Sequence, residues 1–383
     1  MKTTSYFSAF LIFSIFLMLV FNSCNRNKPH SIKLENNIDT KIISFEDIPP
    51  ASIKASSILD SLDFIILDFE KAGFIDDINK VVFHNDEFYV FDSKQQLILI
   101  FDLDGTFLRK IAKQGRGPGE YPFLSDFTVQ GDTILILNRN VIYKYDISGV
   151  FIESISIEFI PSNIECSNQF YYFFRRGNVD FNDKEYYYDL IKCDTKGNII
   201  NMYFPFGKDS TYEISTDSPF YRSGGELYYI SGGRPNITHT VYSLSDQYIH
   251  PYSKYEIRRE SPRSFIVGDF FETESTLMFN VFCEKNPSKV IISKLDSTAI
   301  VYNKVDLDSQ FLFVGGSTKF SHDSYFLTKF DPFEFGAYIK NNKQFKDILI
   351  REYPKYKAFF KYIENENINP VFIKEYYKPR LMK

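Results

Sequence analysis

The sequence predicts an all-β fold, a six-bladed β-propeller, preceded by a signal peptide and tether and carrying a small helical insert before a C-terminal closing strand. Three observations lead there. First, one phrase recurs: an acidic residue, two variable residues, a glycine, then an apolar strand. It reads Asp102-Leu103-Asp104-Gly105, Asp146-Ile147-Ser148-Gly149 and Asp194-Thr195-Lys196-Gly197. Asp bonds locally to backbone and Gly supplies the positive φ of a tight turn, so each copy reads as a hairpin. Second, a polar turn followed by a short apolar run returns with its first apolar residue at Phe88, Ile134, Phe170, Leu227, Leu277 and Tyr325. The mean step is about 47 residues, the length of one four-stranded blade, and the six beats give six blades. Third, Phe and Tyr supply all of an 18% aromatic content, which favours strands.

The elements follow in order. Met1-Lys2-Thr3-Thr4 opens the chain, and Phe7–Phe21 is apolar apart from Ser8 and Ser14. That is a positive n-region and an h-region of signal-peptide length, shorter than the run of about 20 apolar residues a spanning helix needs. It ends at Asn22-Ser23-Cys24. A small residue before a cysteine at this place resembles the lipobox of bacterial lipoproteins, although Phe21 stands where Leu is usual. The resemblance implies that residues 1–23 are removed and that Cys24 carries the lipid. Residues 24–55 are polar, lack periodicity and include Pro49-Pro50; they read as a flexible tether.

Residues 56–383 make the propeller. Blade 1 is expected at Ile78–Phe83, Glu87–Phe91, Leu97–Asp102 and Thr106–Ile111, and blade 2 at Ser125–Val129, Thr133–Leu137, Val141–Tyr145 and Val150–Ile155. Between them runs Lys113-Gln114-Gly115-Arg116-Gly117-Pro118-Gly119-Glu120-Tyr121. A phosphate loop needs Gly-Lys-Ser/Thr opening a helix, whereas Glu120-Tyr121 leads into a strand. Gly115, Gly117, Pro118 and Gly119 therefore read as a structural crossover needing tight backbone geometry. Residues 78–155 resemble NHL-type repeats. The mature chain as a whole resembles the six-bladed β-propeller lipoproteins of Bacteroidetes, on the lipobox, the GRGPGEY loop and the ending Asn369-Pro370-Val371-Phe372-Ile373.

An open propeller would expose edge strands, so the ring must close. Pro370–Tyr376 is expected to supply a strand of blade 6 and Leu62–Leu67 to complete that blade from the other terminus. Between them, about 335–366, the pattern changes. Tyr356, Phe359, Phe360 and Ile363 recur at helical spacing after Pro354, which predicts a helical insert capping one face or, alternatively, docking a partner.

Composition narrows function. The net charge of −5 lacks the basic excess of a nucleic-acid binder. Cys166, Cys193 and Cys283 form no CxxC pair, so zinc and thioredoxin-like readings lack support. Export would permit a Cys166–Cys193 disulfide, against three small buried hydrophobes as the simpler reading. There are five histidines, and HExxH and GxSxG are absent. His84 and His322 stand in turns at equivalent blade positions. Arg175, Arg176 and Tyr186–Tyr188 around an inserted loop, and Ser231–Asn236, could contact glycan or peptide, or be solvated loops. No cofactor or metal is implied. The expectation is a monomeric, lipid-anchored lipoprotein of the cell envelope, at the outer membrane facing the periplasm, whose propeller is a binding or scaffold module for a protein or glycan. The alternative is a hydrolase or lyase with a channel-bound divalent cation, which would require carboxylates, Asn or His of several blades to converge.

Overall fold

The computed structural model describes residues 33–36, 40–45, 52–167, 169–175, 188–205, 218–230, 238–244, 252–260, 265–283, 286–306, 308, 311, 317–332, 335, 343–364 and 369–381. The chain enters through β1 (Lys33–Asn36), β2 (Lys41–Phe45), β3 (Ser52–Lys54), the single turn α1 (Ala55–Ile58), β4 (Leu59–Ile66) and the single turn α2 (Phe69–Ala72). Blade 1 is β5 (Ile78–His84), β6 (Glu87–Asp92), β7 (Leu97–Asp102) and β8 (Phe107–Ile111). Blade 2 is β9 (Asp126–Gln130), β10 (Thr133–Asn138), β11 (Val141–Asp146) and β12 (Phe151–Ser156). Blade 3 is β13 (Asn163–Ser167), β14 (Phe170–Phe174), β15 (Tyr188–Asp194) and β16 (Ile199–Pro205). Blade 4 is β17 (Phe220–Ser223), β18 (Glu226–Ile230), β19 (Thr238–Ser243) and β20 (Tyr252–Arg259). Blade 5 is β21 (Ile266–Glu272), β22 (Thr276–Cys283), β23 (Asn286–Ser293) and β24 (Ala299–Tyr302), followed by the short β25 (Lys304–Asp306). Blade 6 opens with β26 (Ser317–Ser321) and β27 (Phe326–Phe330), passes through α3 (Lys343–Glu352) and α4 (Tyr356–Ile363), and ends on β28 (Val371–Tyr377). The six blades stand in a ring, as the repeat predicts, and the strands of blades 1 and 2 lie within about a residue of their expected bounds.

Each blade is an antiparallel sheet, and its second strand carries a run of consecutive buried residues. In β6, Phe88, Tyr89, Val90 and Phe91 are all buried, as are Ile98–Phe101 of β7. The reason is stacking. Phe88 and Val90 pack toward blade 6 while Tyr89 and Phe91 pack toward blade 2. Both faces of the sheet are covered, so neither row of the period-two pattern can be polar. Six buried clusters result among the described residues, one for each seam between neighbouring blades. The outer strand faces solvent, and β12 is almost wholly exposed.

The recurrent Asp-x-x-Gly phrase forms the same turn three times. The Asp102, Asp146 and Asp194 carboxylates each accept from backbone N–H groups two and four residues on, at 2.8–3.0 Å. Gly105, Gly149 and Gly197 close these turns at φ of 86°, 88° and 86°. At Gly105 a Cβ would also run into the Ile66 carbonyl, because this turn packs on the end of β4, where Asp68 N–H donates to the Gly105 carbonyl at 2.9 Å.

Closure occurs in blade 6. Its sheet order is β26-β27-β28-β4, so the last strand of the chain pairs antiparallel with one from the N-terminus. Asn369, fully buried at the head of β28, accepts from Ile75 N–H and donates to the Gly73 carbonyl, each at 2.8 Å. The helical insert packs against β4: Phe64 stacks on Phe359 with centroids 4.4 Å apart, and Tyr356, Phe359, Phe360 and Ile363 are buried. The insert thus braces the closing blade, and none of its described residues lines the central channel.

The reading of residues 24–55 as flexible tether needs correction. β2 adds to blade 4 by parallel pairing with β20, β1 adds to β2, and β3 pairs parallel with β25. Ile43 and Phe45 alternate into the seam between blades 4 and 5 and are at most 1% exposed. A five-residue apolar alternation between polar stretches, Lys41-Ile42-Ile43-Ser44-Phe45, carried that signal. The signal peptide, Cys24 and the rest of the expected tether lie outside the described residues.

Removing the Asn369 side chain would strand a buried N–H and a buried carbonyl. Asn369→Ala should cost about 2 kcal/mol. A urea titration checks this, and a midpoint unchanged from the parent would refute the closing role given to Asn369.

Candidate functional site

The six inner strands, β5, β9, β13, β17, β21 and β26, converge on the ring axis around a cavity of about 420 Å³, within the size range of small-ligand sites. Each blade contributes one charged residue to the lining: Lys80, Asp126, Glu165, Arg222, Asp269 and Lys319 from blades 1 to 6 in turn. Three are cations and three are carboxylates.

Four of them form a continuous string. Lys80 Nζ lies 3.1 Å from Asp126 Oδ1 and 2.9 Å from Glu165 Oε1. Arg222 Nη2 lies 3.1 Å from Glu165 Oε2, which also accepts from Thr128 Oγ1 at 2.9 Å. Asp126 Oδ2 accepts from Ile164 N–H at 2.9 Å, and Arg222 donates to the Cys166 carbonyl. Lys80 therefore reaches past blade 2 to blade 3. On the other side of the ring, Ser321 Oγ of blade 6 donates to the Arg222 carbonyl of blade 4 at 3.3 Å. Asp269 sits at a bulge of β21 with φ of 45° and accepts from Asn280 Nδ2 at 2.9 Å.

Burial and charge oppose each other here. Desolvation disfavours the Lys80 ammonium, but Asp126 and Glu165 outweigh it and hold its pKa above the usual lysine value. Desolvation likewise opposes the Glu165 carboxylate, yet Lys80 and Arg222 pull its pKa below the usual range. Asp126 goes the other way: burial dominates the attraction of Lys80, the Glu165 charge adds to it, and its pKa rises.

Asp126, Glu165 and Asp269 are each turned to a partner within the protein, and among the described residues no three His, Cys, Asp or Glu gather closely enough to hold a metal ion. The channel is also not simply aromatic. Phe83, Phe271 and Phe320, from blades 1, 5 and 6, are half-buried in the lining, and Phe83 and Phe320 lie 5.7 Å apart by centroid.

The residues singled out from sequence fall elsewhere. Gly115, Gly117, Pro118 and Gly119 form the crossover from blade 1 to blade 2. Glu120 Oε2 accepts from Gly117 N–H at 2.8 Å, a Cβ at Gly115 would overlap that carboxylate, and Gly119 has φ of 74°. Tyr121, fully buried, pins the loop by donating from its hydroxyl to the Gln96 carbonyl at 2.9 Å. Arg175 is 1% exposed and so does not lie at a loop tip. Arg176, Tyr186, Tyr187 and Ser231–Asn236 lie outside the described residues. His84 ends β5 and His322 follows β26; His322 stacks on Tyr325 with centroids 4.9 Å apart. Cys166 and Cys193 are free thiols. Both are register partners of Tyr171, so they sit on strands two apart in one sheet. That separation, about 9–10 Å, exceeds the Cα reach of a disulfide. Burial pushes Cys166 up to about 11 and Cys193 up to about 12.

Sequence reasoning missed the six channel charges. The signal was there: a lone charged residue in or beside an otherwise apolar or aromatic inner strand, as Lys80 before Val81-Val82-Phe83 or Glu165 between Ile164 and Cys166. The residues are scattered over six blades, and only the ring assembles them.

The string has a pH signature. Glu165 has a lowered folded pKa, so its contribution to stability is present above the unfolded value of about 4.3 and lost as pH falls through the folded one. Glu165→Gln should cost about 2–4 kcal/mol at pH 7 by leaving Lys80 and Arg222 under-compensated. The deficit should shrink below pH 4. Urea unfolding of both proteins across pH reads this, and a deficit independent of pH would refute it.

Known proteins place the fold. No curated protein matches the sequence. The crystal structure of a protein described as exported from Bacteroides fragilis NCTC 9343 superposes with a TM-score of 0.66 at 17% identity, covering 89% of this chain and 100% of that one. A member of the duf4221 family from Bacteroides vulgatus ATCC 8482 gives a TM-score of 0.45 at 11% identity, over 84% of this chain and 97% of that one. Among the described residues no helix is long and apolar enough to cross a membrane. A family model described as Domain of unknown function (DUF4934) matches residues 40–374, and the chain, a six-bladed propeller over that span, belongs to the DUF4934 family.

Proposed function

We propose that the protein is an envelope lipoprotein, held through a lipid on Cys24 at the outer membrane on its periplasmic side, whose propeller is a non-catalytic binding module for a protein or glycan. The observation that carries the binding reading is the state of the channel groups. Lys80, Asp126, Glu165 and Arg222 spend their charges on one another, and burial keeps the Cys166 and Cys193 thiols protonated at neutral pH. Nucleophilic catalysis needs the reverse, a group activated by a free base or a lowered pKa. A preformed cavity walled by paired polar groups and aromatic rings is instead suited to binding.

Topology supports one face for that role. Four antiparallel strands return the chain to the same side of the ring at the end of the second and the fourth strand. The crossover with Gly115–Gly119 therefore leaves blade 1 on the side where the longest second-to-third-strand connections begin: β14 to β15 in blade 3 and β27 to β28 in blade 6. Connections of this length on a rigid scaffold are where binding residues concentrate. The anchor rests on the lipobox-like Ser23-Cys24 after Phe7–Phe21 and on the likeness to NHL-type propeller lipoproteins.

Metabolic labelling with an alkyne fatty acid tests the anchor. Parent protein should take the label and fractionate with membranes; Cys24→Ala should take none and leave the membrane fraction. A labelled, membrane-held Cys24→Ala protein would sink the assignment. Crosslinked affinity capture of the lipidated protein from envelope membranes tests the binding role, with one reproducible partner expected and none counting against it.

A further inference from the structure

We propose that the central channel binds a neutral, polyhydroxylated ligand of one or two sugar rings, held between an aromatic wall on blades 5, 6 and 1 and a wall of paired charges on blades 1 to 4. This deepens the binding reading above and rests on it.

Size comes first. A cavity of about 420 Å³ takes a small organic ligand and excludes a folded chain. Charge comes second. The charged lining is balanced, with Lys80, Arg222 and Lys319 against Asp126, Glu165 and Asp269. A purely anionic or cationic ligand would find no net attraction. It would also have to break a buried pair, such as Lys80 with Glu165 at 2.9 Å, and leave the other member uncompensated. A hydroxyl can enter without that penalty, because it donates to a carboxylate and accepts from an ammonium or guanidinium at once. The Arg222 side chain, 32% exposed, and the Lys80 side chain, 14% exposed, keep part of their donor surface toward the cavity. Asn79, Asn163, Ser317 and Thr318 add uncharged donors and acceptors to the lining.

Shape comes third. Phe83, Phe271 and Phe320 are half-buried, so each retains surface while lining the channel. By ring order, blades 5, 6 and 1 lie opposite blades 2, 3 and 4, which carry Asp126, Glu165 and Arg222. The three half-buried rings therefore gather on one side of the channel, with Asp269 and Lys319 among them, and the ion-paired Asp126, Glu165 and Arg222 stand on the other. A sugar ring has the matching division, with C–H groups that pack on an aromatic face and hydroxyls around its edge. A zwitterion such as a dipeptide shares the overall neutrality but needs two separated, unpaired counter-charges.

The test titrates full-length lipoprotein in detergent micelles with a panel of neutral mono- and disaccharides, using calorimetry. Parallel arms use the same sugars carrying sulfate or a uronate carboxylate, and glycylglycine. At least one neutral saccharide should bind with Kd of about 1 mM or tighter, and its charged derivative and glycylglycine at least about tenfold more weakly. Phe320→Ala should weaken binding about tenfold or more. Ser317→Trp, which fills the cavity from an exposed lining position, should abolish it with the thermal unfolding curve unchanged. No saccharide binding, unaltered binding in Ser317→Trp, or tighter binding of the charged probes would each overturn the proposal. Partner capture by the Ser317→Trp protein separates the two readings. A partner retained while no sugar binds the parent defeats the channel ligand alone, and a parent that binds neither sugar nor partner defeats the binding module.

Discussion

The antiparallel pairing of β28 with β4 is the contact on which everything else in this molecule depends. A propeller blade is covered on both faces only if the ring is complete. Were that pairing open, Leu59, Leu62 and Ile65 of β4, which are at most 2% exposed, would leave the seams on either side of blade 6. Burial of side chains this size is worth roughly 1.5–3 kcal/mol each, so closing the ring secures far more than the seven register pairs of the strand contact itself. Asn369 and the turn at Gly105 tie one end of the closing sheet to blade 1 and to the segment leading into it, and α4 braces β4.

Closure also explains how a balanced set of charges can sit at the axis. Buried ion pairs are a weak source of stability because desolvation offsets their attraction. They are strict about geometry, however, and Lys80 reaches Asp126 and Glu165 together only while blades 1, 2 and 3 keep their positions. The string serves better as a specifier of blade arrangement around the channel than as a source of binding strength between blades. The same pairing keeps the channel polar without leaving an isolated charge inside it.

Much of the fold was legible in the sequence because each blade repeats a local rule. The Asp-x-x-Gly turns and the apolar second strands mark hairpins that need only neighbouring residues, and blades 1 and 2 could be placed almost to the residue. The closing strand was legible for a different reason: a ring forbids edges, and only the two termini could supply the missing strand. What stayed hidden depends on non-local pairing. The Ile43 and Phe45 alternation is too short to stand out, and its partner β20 lies more than two hundred residues away. The channel charges were visible singly and meaningless singly, since each gains its role from residues on other blades.

The first part of the chain is also the last to find its place. β2, β3 and β4 pair with residues 255–259, 304–306 and 371–377, so all three must wait for the far end of the chain. Blades 1 to 3 need only contacts close in sequence, which form early because the loops they close are short. In the order of assembly, β1 and β2 can pair with each other at once, but β2, β3 and β4 stay unjoined to the ring while half of it takes shape behind them. Any enzyme that must act near the N-terminus therefore meets a chain whose first strands are not yet joined to the ring throughout that interval.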